Sequence, residues 1–242
     1  MITLFWRNFW LYLFVVLTFP PISIFLIFIS PLDPKRIIAH WLSRRWMPIV
    51  LWIAGVKVKV SGQKNLSPEG VYIFAANHQS QFDIPVIEKA LPRSIRIRWL
   101  AKKSLFKIPF FGWAMKAAGY IAVDRQNPRE GLKSLLAAVE TIGEGASVVI
   151  FPEGTRSPDG RLQDFKGGGF VLALKSGCPV VPIAVCGTHK ILPKGSLVAR
   201  PGEVYVKILP PIPVDGLSLR DKDLLAQKTR AAIAEALKKG CQ

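Results

Sequence analysis

Apolar residues follow two different patterns along this chain. From Phe9 to Ser30 there is no charged residue: an aromatic and aliphatic run ends at Leu17, Thr18-Phe19-Pro20-Pro21 follows, and Ile22 to Ile29 is apolar again apart from Ser23. The run meets the length of about 20 residues that a membrane span requires. Pro20-Pro21 removes two amide donors from its middle, which predicts a kink or a break. A kinked helix held in one leaflet and a true span both satisfy the pattern. The run is too long for a signal peptide, and no small-residue cleavage pattern follows before Pro31. Next come Lys35, Arg36, Arg44 and Arg45, set among Ile37-Ile38, Trp41-Leu42, Trp46-Met47 and Ile49 to Ala54. That mixture suits a helix at the headgroup boundary; a helix packed over a sheet would carry the same apolar face. Residues 1–55 are therefore expected to form a membrane-associated helical hairpin, separate from a domain at 56–242. The cations after the first run predict that this domain faces the cytoplasm.

Beyond Val56 the period changes. Short runs rich in β-branched residues, at Val56 to Val60, Val71 to Ala76, Ile95 to Leu100, Ser147 to Phe151, Pro179 to Val185 and Glu203 to Leu209, predict strands. Helical spacing lies between them at Ile84 to Ala90, Ser134 to Ile142 and Phe170 to Ser176. Ser104 to Ala118 carries Pro109 and Gly112 and is expected to be irregularly helical, and Leu219 to Lys239 reads as a terminal amphipathic helix. Alternation of this kind predicts an α/β layer fold with a mixed, largely parallel central sheet flanked by helices. Pro210-Pro211-Ile212-Pro213 reads as a connector.

The 242 residues are 50% hydrophobic and carry a formal net charge of +17, which calls for an anionic partner. No RNP sequence or paired-Cys/paired-His finger is present, so nucleic acid is not expected. The N-terminal run favours the phospholipid bilayer, at the cytoplasmic face of the inner membrane. Arg93, Arg96, Arg98, Lys102, Lys103 and Lys107 add a basic region that suits anionic headgroups as well as it suits a solvated face. Cys178, Cys186 and Cys241 are few, odd in number and scattered; a disulfide framework is not expected, and Cys178 and Cys186 read as small buried residues.

Candidate chemistry begins at Asn77-His78-Gln79-Ser80-Gln81-Phe82-Asp83, directly after a predicted strand and before a predicted helix. If the chain turns between His78 and Asp83, the carboxylate can fix the imidazole tautomer and leave the other nitrogen free to take a proton. A lone histidine is more often a satisfied structural residue, so further segments matter. Phe151-Pro152-Glu153-Gly154-Thr155-Arg156-Ser157 also leaves a predicted strand, Val123-Asp124-Arg125 follows the apolar run Tyr120-Ile121-Ala122, and Phe165-Lys166-Gly167-Gly168-Gly169-Phe170 allows close backbone approach. Arg125, Arg156 and Lys166 suit a phosphate clamp as well as they suit solvated cations. No G-x-S-x-G elbow accompanies Ser80, which reads as a turn residue. No P-loop or dinucleotide fingerprint occurs, and His40, His78 and His189 lack metal-ligand spacing. No metal is expected.

In combination these blocks resemble the glycerolipid acyltransferase family, and within it the bacterial 1-acyl-glycerol-3-phosphate acyltransferases, from about Val56 to about Pro213. His78 through Asp83 matches the His-x4-Asp block, Phe151 to Ser157 the Phe-Pro-Glu-Gly-Thr-Arg-Ser block, and Lys102 to Gly112 with Asp124-Arg125 the segment between them. Val180 to Val185 looks like the last block. Gly167 departs from the pattern, since members often carry a second basic residue there. The resemblance implies acyl transfer from an acyl-coenzyme A or acyl carrier protein thioester to the sn-2 hydroxyl of lysophosphatidic acid, giving phosphatidic acid for phospholipid synthesis without a cofactor. It implies His78 as general base and Asp83 as its orienting carboxylate. It places Arg125, Glu153, Gly154, Arg156, Lys166 and Lys103 at the phosphate of the acceptor; Glu153 pairing with Arg156 is the alternative for that carboxylate. Glycerol-3-phosphate or another lysolipid is the alternative acceptor, and a non-catalytic lipid-binding protein the alternative of another class.

Overall fold

The computed structural model describes residues 2–124 and 128–241. Two helices come first, α1 (Ile2–Ile29) and α2 (Ile37–Ile53). The order is then β1 (Val56–Ser61), β2 (Ile73–Ala76), α3 (Asp83–Ala90), β3 (Ile97–Lys102), α4 (Phe111–Ala117), β4 (Ile121–Val123), α5 (Pro128–Gly143) and β5 (Ser147–Ile150). The chain closes with α6 (Phe170–Ser176), β6 (Val180–Cys186), α7 (Thr188–Ile191), β7 (Gly202–Ile208) and α8 (Lys222–Lys238).

The seven strands form one sheet in the order β1-β7-β6-β2-β5-β3-β4. Strands β6, β2, β5, β3 and β4 run parallel, and β7 pairs antiparallel with β6 and parallel with β1. The expected mixed, largely parallel sheet is thus observed. Strands β2 and β5 are buried on both faces, as parallel strands covered by helices must be. Alternation along β2 divides the core: Phe74 and Ala76 join the cluster on the side of α2 and α3, while Ile73 and Ala75 join Ala138, Phe170 and Leu225 from α5, α6 and α8. Edge strand β1 reads Val-Lys-Val-Lys-Val and exposes its lysines to solvent.

Helix α1 runs unbroken through Pro20 and Pro21. Proline's fixed φ is already helical, so the pair costs amide donors without ending the helix. The Ser104 to Ala118 region is irregular, as expected: a 3-10 turn at Lys103–Lys107 precedes α4. Gly112 is required there, because a Cβ would lie 2.2 Å from the backbone oxygen of Phe106.

One expectation fails. Cys186, at the end of β6, is disulfide-bonded to Cys241, and Cys178 is the free cysteine. Helix α8 packs across β6, so Ala184, Ile233, Ala236 and Cys241 share one apolar cluster. That packing brings together two cysteines separated by 55 positions, a contact that spacing does not reveal.

Candidate active site

Three neighbouring strands, β6, β2 and β5, deliver the site from their carboxyl ends, where ligands bind in open α/β sheets. His78 follows β2, Phe151 to Ser157 follow β5, and Thr188 follows β6. Asn77 ties the first of these to the third: its Nδ2 donates to Val185 O at 2.9 Å and its Oδ1 accepts from Val185 N at 2.8 Å.

The chain turns between His78 and Asp83, and the two side chains meet. His78 Nδ1 lies 2.8 Å from Asp83 Oδ2. Asp83 is fully buried at the start of α3, and its carboxylate takes four donors. Oδ2 also accepts from Gln79 N at 2.7 Å and Ser80 N at 2.9 Å, while Oδ1 accepts from Thr188 Oγ1. Three donors thus gather on Oδ2 and one on Oδ1, so the carboxylate is held at both oxygens. A proton on Nδ1 is then the one that satisfies Asp83, which leaves the Nε2 lone pair for a reacting group. His78 is 17% exposed, enough for that edge to be reached from outside.

Ser80 is the turn residue expected. Its hydroxyl donates to Leu192 O at 2.8 Å and accepts from Phe82 N at 3.1 Å. His40 and His189 lie apart from the dyad in sequence and element, on α2 and α7. Among the described residues no three His, Cys, Asp or Glu side chains group as a metal site would require.

The loop after β5 is built around Glu153, which is 3% exposed. Its Oε1 accepts from His78 N and its Oε2 from Gln163 Nε2, at 2.9 and 2.8 Å. Burial pushes this carboxyl up from the usual range, against the lowering effect of the His78 amide and Gln163. Glu153 therefore turns inward and holds the backbone of His78; among the described residues it makes no ion pair with Arg156. Ser157 N completes the join by donating to His78 O at 2.8 Å. Gly154 has φ +79° in the turn whose N–H returns to Phe151 O, a conformation that favours glycine.

Among the expected phosphate ligands the arrangement is uneven. Arg156 is half-buried beside this loop, and Lys166 is exposed, with its amide bonded to Pro152 O. Lys103 Nζ lies 3.5 Å from Asp124 Oδ2. Arg125 lies outside the described residues. Lys194, not anticipated from sequence, reaches Arg156 O at 3.0 Å and Thr155 Oγ1 at 3.3 Å. Thr188 and Gln163, outside the segments singled out from sequence, were also not anticipated, and Asn77, at the head of the His78 segment, had been given no role.

The sequence model of the acyltransferase family matches residues 57–186, which contain the dyad, the Glu153 loop and β6. The chain belongs to the acyltransferase family. Among its relatives, the chloroplastic 1-acyl-sn-glycerol-3-phosphate acyltransferase of Brassica napus is 38% identical over 205 residues, 84% of this chain and 57% of that protein. The 1-acyl-sn-glycerol-3-phosphate acyltransferase of Pseudomonas aeruginosa is 33% identical over 215 residues, 87% of this chain and 82% of that one. The crystal structure of PlsC, the 1-acyl-sn-glycerophosphate acyltransferase of Thermotoga maritima, superimposes with a TM-score of 0.80 at 27% identity, covering 97% of this chain and 96% of that chain. Several plant relatives are longer, and the chain spans less than two thirds of their length.

Proposed function

We propose that this acyltransferase moves an acyl chain from a thioester to the sn-2 hydroxyl of 1-acyl-glycerol-3-phosphate, forming phosphatidic acid for phospholipid synthesis. The observation that carries this reading is the His78–Asp83 pair with the Nε2 edge left open. An acyl thioester is already activated, so a base for the incoming alcohol and a site that aligns both substrates suffice. His78 Nε2 takes the hydroxyl proton as the alcohol oxygen forms its bond to the thioester carbonyl carbon. The carbon–sulfur bond then breaks, and the departing sulfur receives the proton from Nε2. No covalent bond to the protein forms at any step. Asp83 holds Nδ1–H and stabilises the imidazolium, as the third member of a serine-hydrolase triad does.

Arg156 is the principal ligand for the acceptor phosphate, because it is half-buried and immediately precedes Ser157, whose amide bonds His78 O, and its guanidinium offers a planar fork to phosphate oxygens. Arg125, Lys166 and Lys103 contribute charge around it, and Glu153 and Gly154 shape the loop that presents Arg156. Coenzyme A and acyl carrier protein are the two donor carriers proposed.

Membrane attachment at the cytoplasmic face of the inner membrane is part of the proposal. Helix α1 is long and apolar enough to cross a membrane, and little of its apolar window is buried against the rest of the protein. The test of the reaction is positional analysis of the product. Protein supplied with 1-acyl-glycerol-3-phosphate and an acyl-coenzyme A carrying a distinguishable chain should give phosphatidic acid labelled at the sn-2 ester. Label appearing only when glycerol-3-phosphate is the acceptor would sink the assignment.

A further inference from the structure

The imidazole of His78 has a partner on its face as well as on its edge. The ring of Phe151 lies against it with centroids 3.8 Å apart and planes only 11° from parallel. Behind Phe151 stands Trp99, stacked at 5.5 Å and 24°. Trp99 is almost fully buried, and its Nε1 donates to Glu88 Oε1 at 3.2 Å. The same Glu88 oxygen accepts from Ser43 of α2 at 3.2 Å, and Arg44 lies 3.9 Å from its partner oxygen. A continuous wall thus runs from α2 through Glu88, Trp99 and Phe151 to the histidine.

The bond to Asp83 fixes one atom of the imidazole, yet a ring held by a single in-plane bond can still rock about it. Phe151 closes that freedom on one face. Proton transfer also changes what the stack is worth. A neutral imidazole gains an ordinary aromatic contact, whereas an imidazolium is in addition attracted by the negative π face, by about 0.5 to 2 kcal/mol. Only interactions stronger in the transition state than in the ground state accelerate the reaction. The Phe151 contact has that property if His78 gains its proton during the step.

We propose that Phe151 is a positioning residue for the transfer: its ring, braced by Trp99 and Glu88, fixes the plane of His78 and stabilises the imidazolium as the acceptor hydroxyl loses its proton. This rests on the general-base reading of His78.

The test replaces Phe151 with phenylalanines carrying one, three and five ring fluorines, which withdraw the π-face charge stepwise with little change of shape. Phe151→Leu and His78→Ala are run in the same assay. The expected result is a stepwise fall in kcat with fluorination, about 2- to 30-fold across the series, with KM for lysophosphatidic acid nearly unchanged. Phe151→Leu should lose at least as much as the most fluorinated ring. A flat series would overturn the electrostatic role, because a shape-only contact does not respond to fluorine, and a Leu variant as active as the parent would overturn positioning too. If the unsubstituted protein shows no turnover that depends on His78, the reaction itself is refuted and the proposal falls with it, a result distinguishable from a flat series.

Discussion

Asp83 is the residue on which the site depends, because four donors from two distant parts of the chain, His78 to Ser80 and Thr188, converge on it. Asp83→Asn keeps the size but replaces one acceptor oxygen with a donor, setting it against Nδ1–H, the two amides or Thr188. It should reduce kcat by several orders of magnitude with only a modest loss of stability; wild-type kcat in the folded variant would contradict the role. Thr188→Val removes one donor and leaves Oδ1 buried without it, a loss of about 1–3 kcal/mol for such a group. The expected result is a kcat lowered about tenfold with KM little changed, measured in detergent at saturating substrates. His78 and Asp83 were legible in the sequence because five positions and a turn place both partners in one short segment. Thr188 and Phe151 were not legible in their roles. Both lie far along the chain from the dyad, and only the adjacency of β6, β2 and β5 brings them to it.

Among the elements, α2 and α3 carry a buried ionisable cluster whose behaviour with pH can be stated. Glu88 is fully buried, and burial raises its carboxyl above the usual range, opposed by Arg44, Trp99 and Ser43. A raised acid binds its proton more tightly folded than unfolded. Its contribution to stability is therefore full below the unfolded value and is lost as pH rises through the folded one. Glu88→Gln, which keeps an acceptor oxygen for Trp99 and Ser43, should flatten the decline in thermal stability above about pH 4.5; an unchanged pH profile would count against it. The N-terminal helices were read from sequence as a separate hairpin, and their apolar character and order are observed. Their attachment was hidden. Leu51 and Ala54 are fully buried in the main core, and Asn8 of α1 exchanges two hydrogen bonds with the backbone of Ala199. Deleting residues 1–55 would open that core, so a cleaner probe of the membrane role leaves it intact. Trp6, Phe9 and Trp10 are exposed on α1. Replacing all three with serine should lower cosedimentation with anionic phospholipid vesicles severalfold while leaving turnover of detergent-dispersed substrates unchanged. Undiminished cosedimentation would place the attachment elsewhere.

For the molecule as a whole, the α/β alternation was readable because buried parallel strands are short, apolar and β-branched, as Ile73–Ala76 and Ser147–Ile150 are. Strand order was not, since it depends on which helix covers which face. The same long-range packing conceals the Cys186–Cys241 bond, which joins the residues just after α8 to the strand leading into Thr188. Thiol titration of unfolded, unreduced protein should find one free cysteine, Cys178, and three after reduction; three in both states would contradict the pairing. The central claim is that the whole fold serves one base at the carboxyl end of β2. Its most direct test is thiol release from acyl-coenzyme A by the purified, detergent-solubilised protein, with lysophosphatidic acid or glycerol-3-phosphate as acceptor and His78→Ala alongside. Release should require lysophosphatidic acid and fall by at least about 10²-fold in the variant; release that persists undiminished without His78 would rule out the general-base assignment.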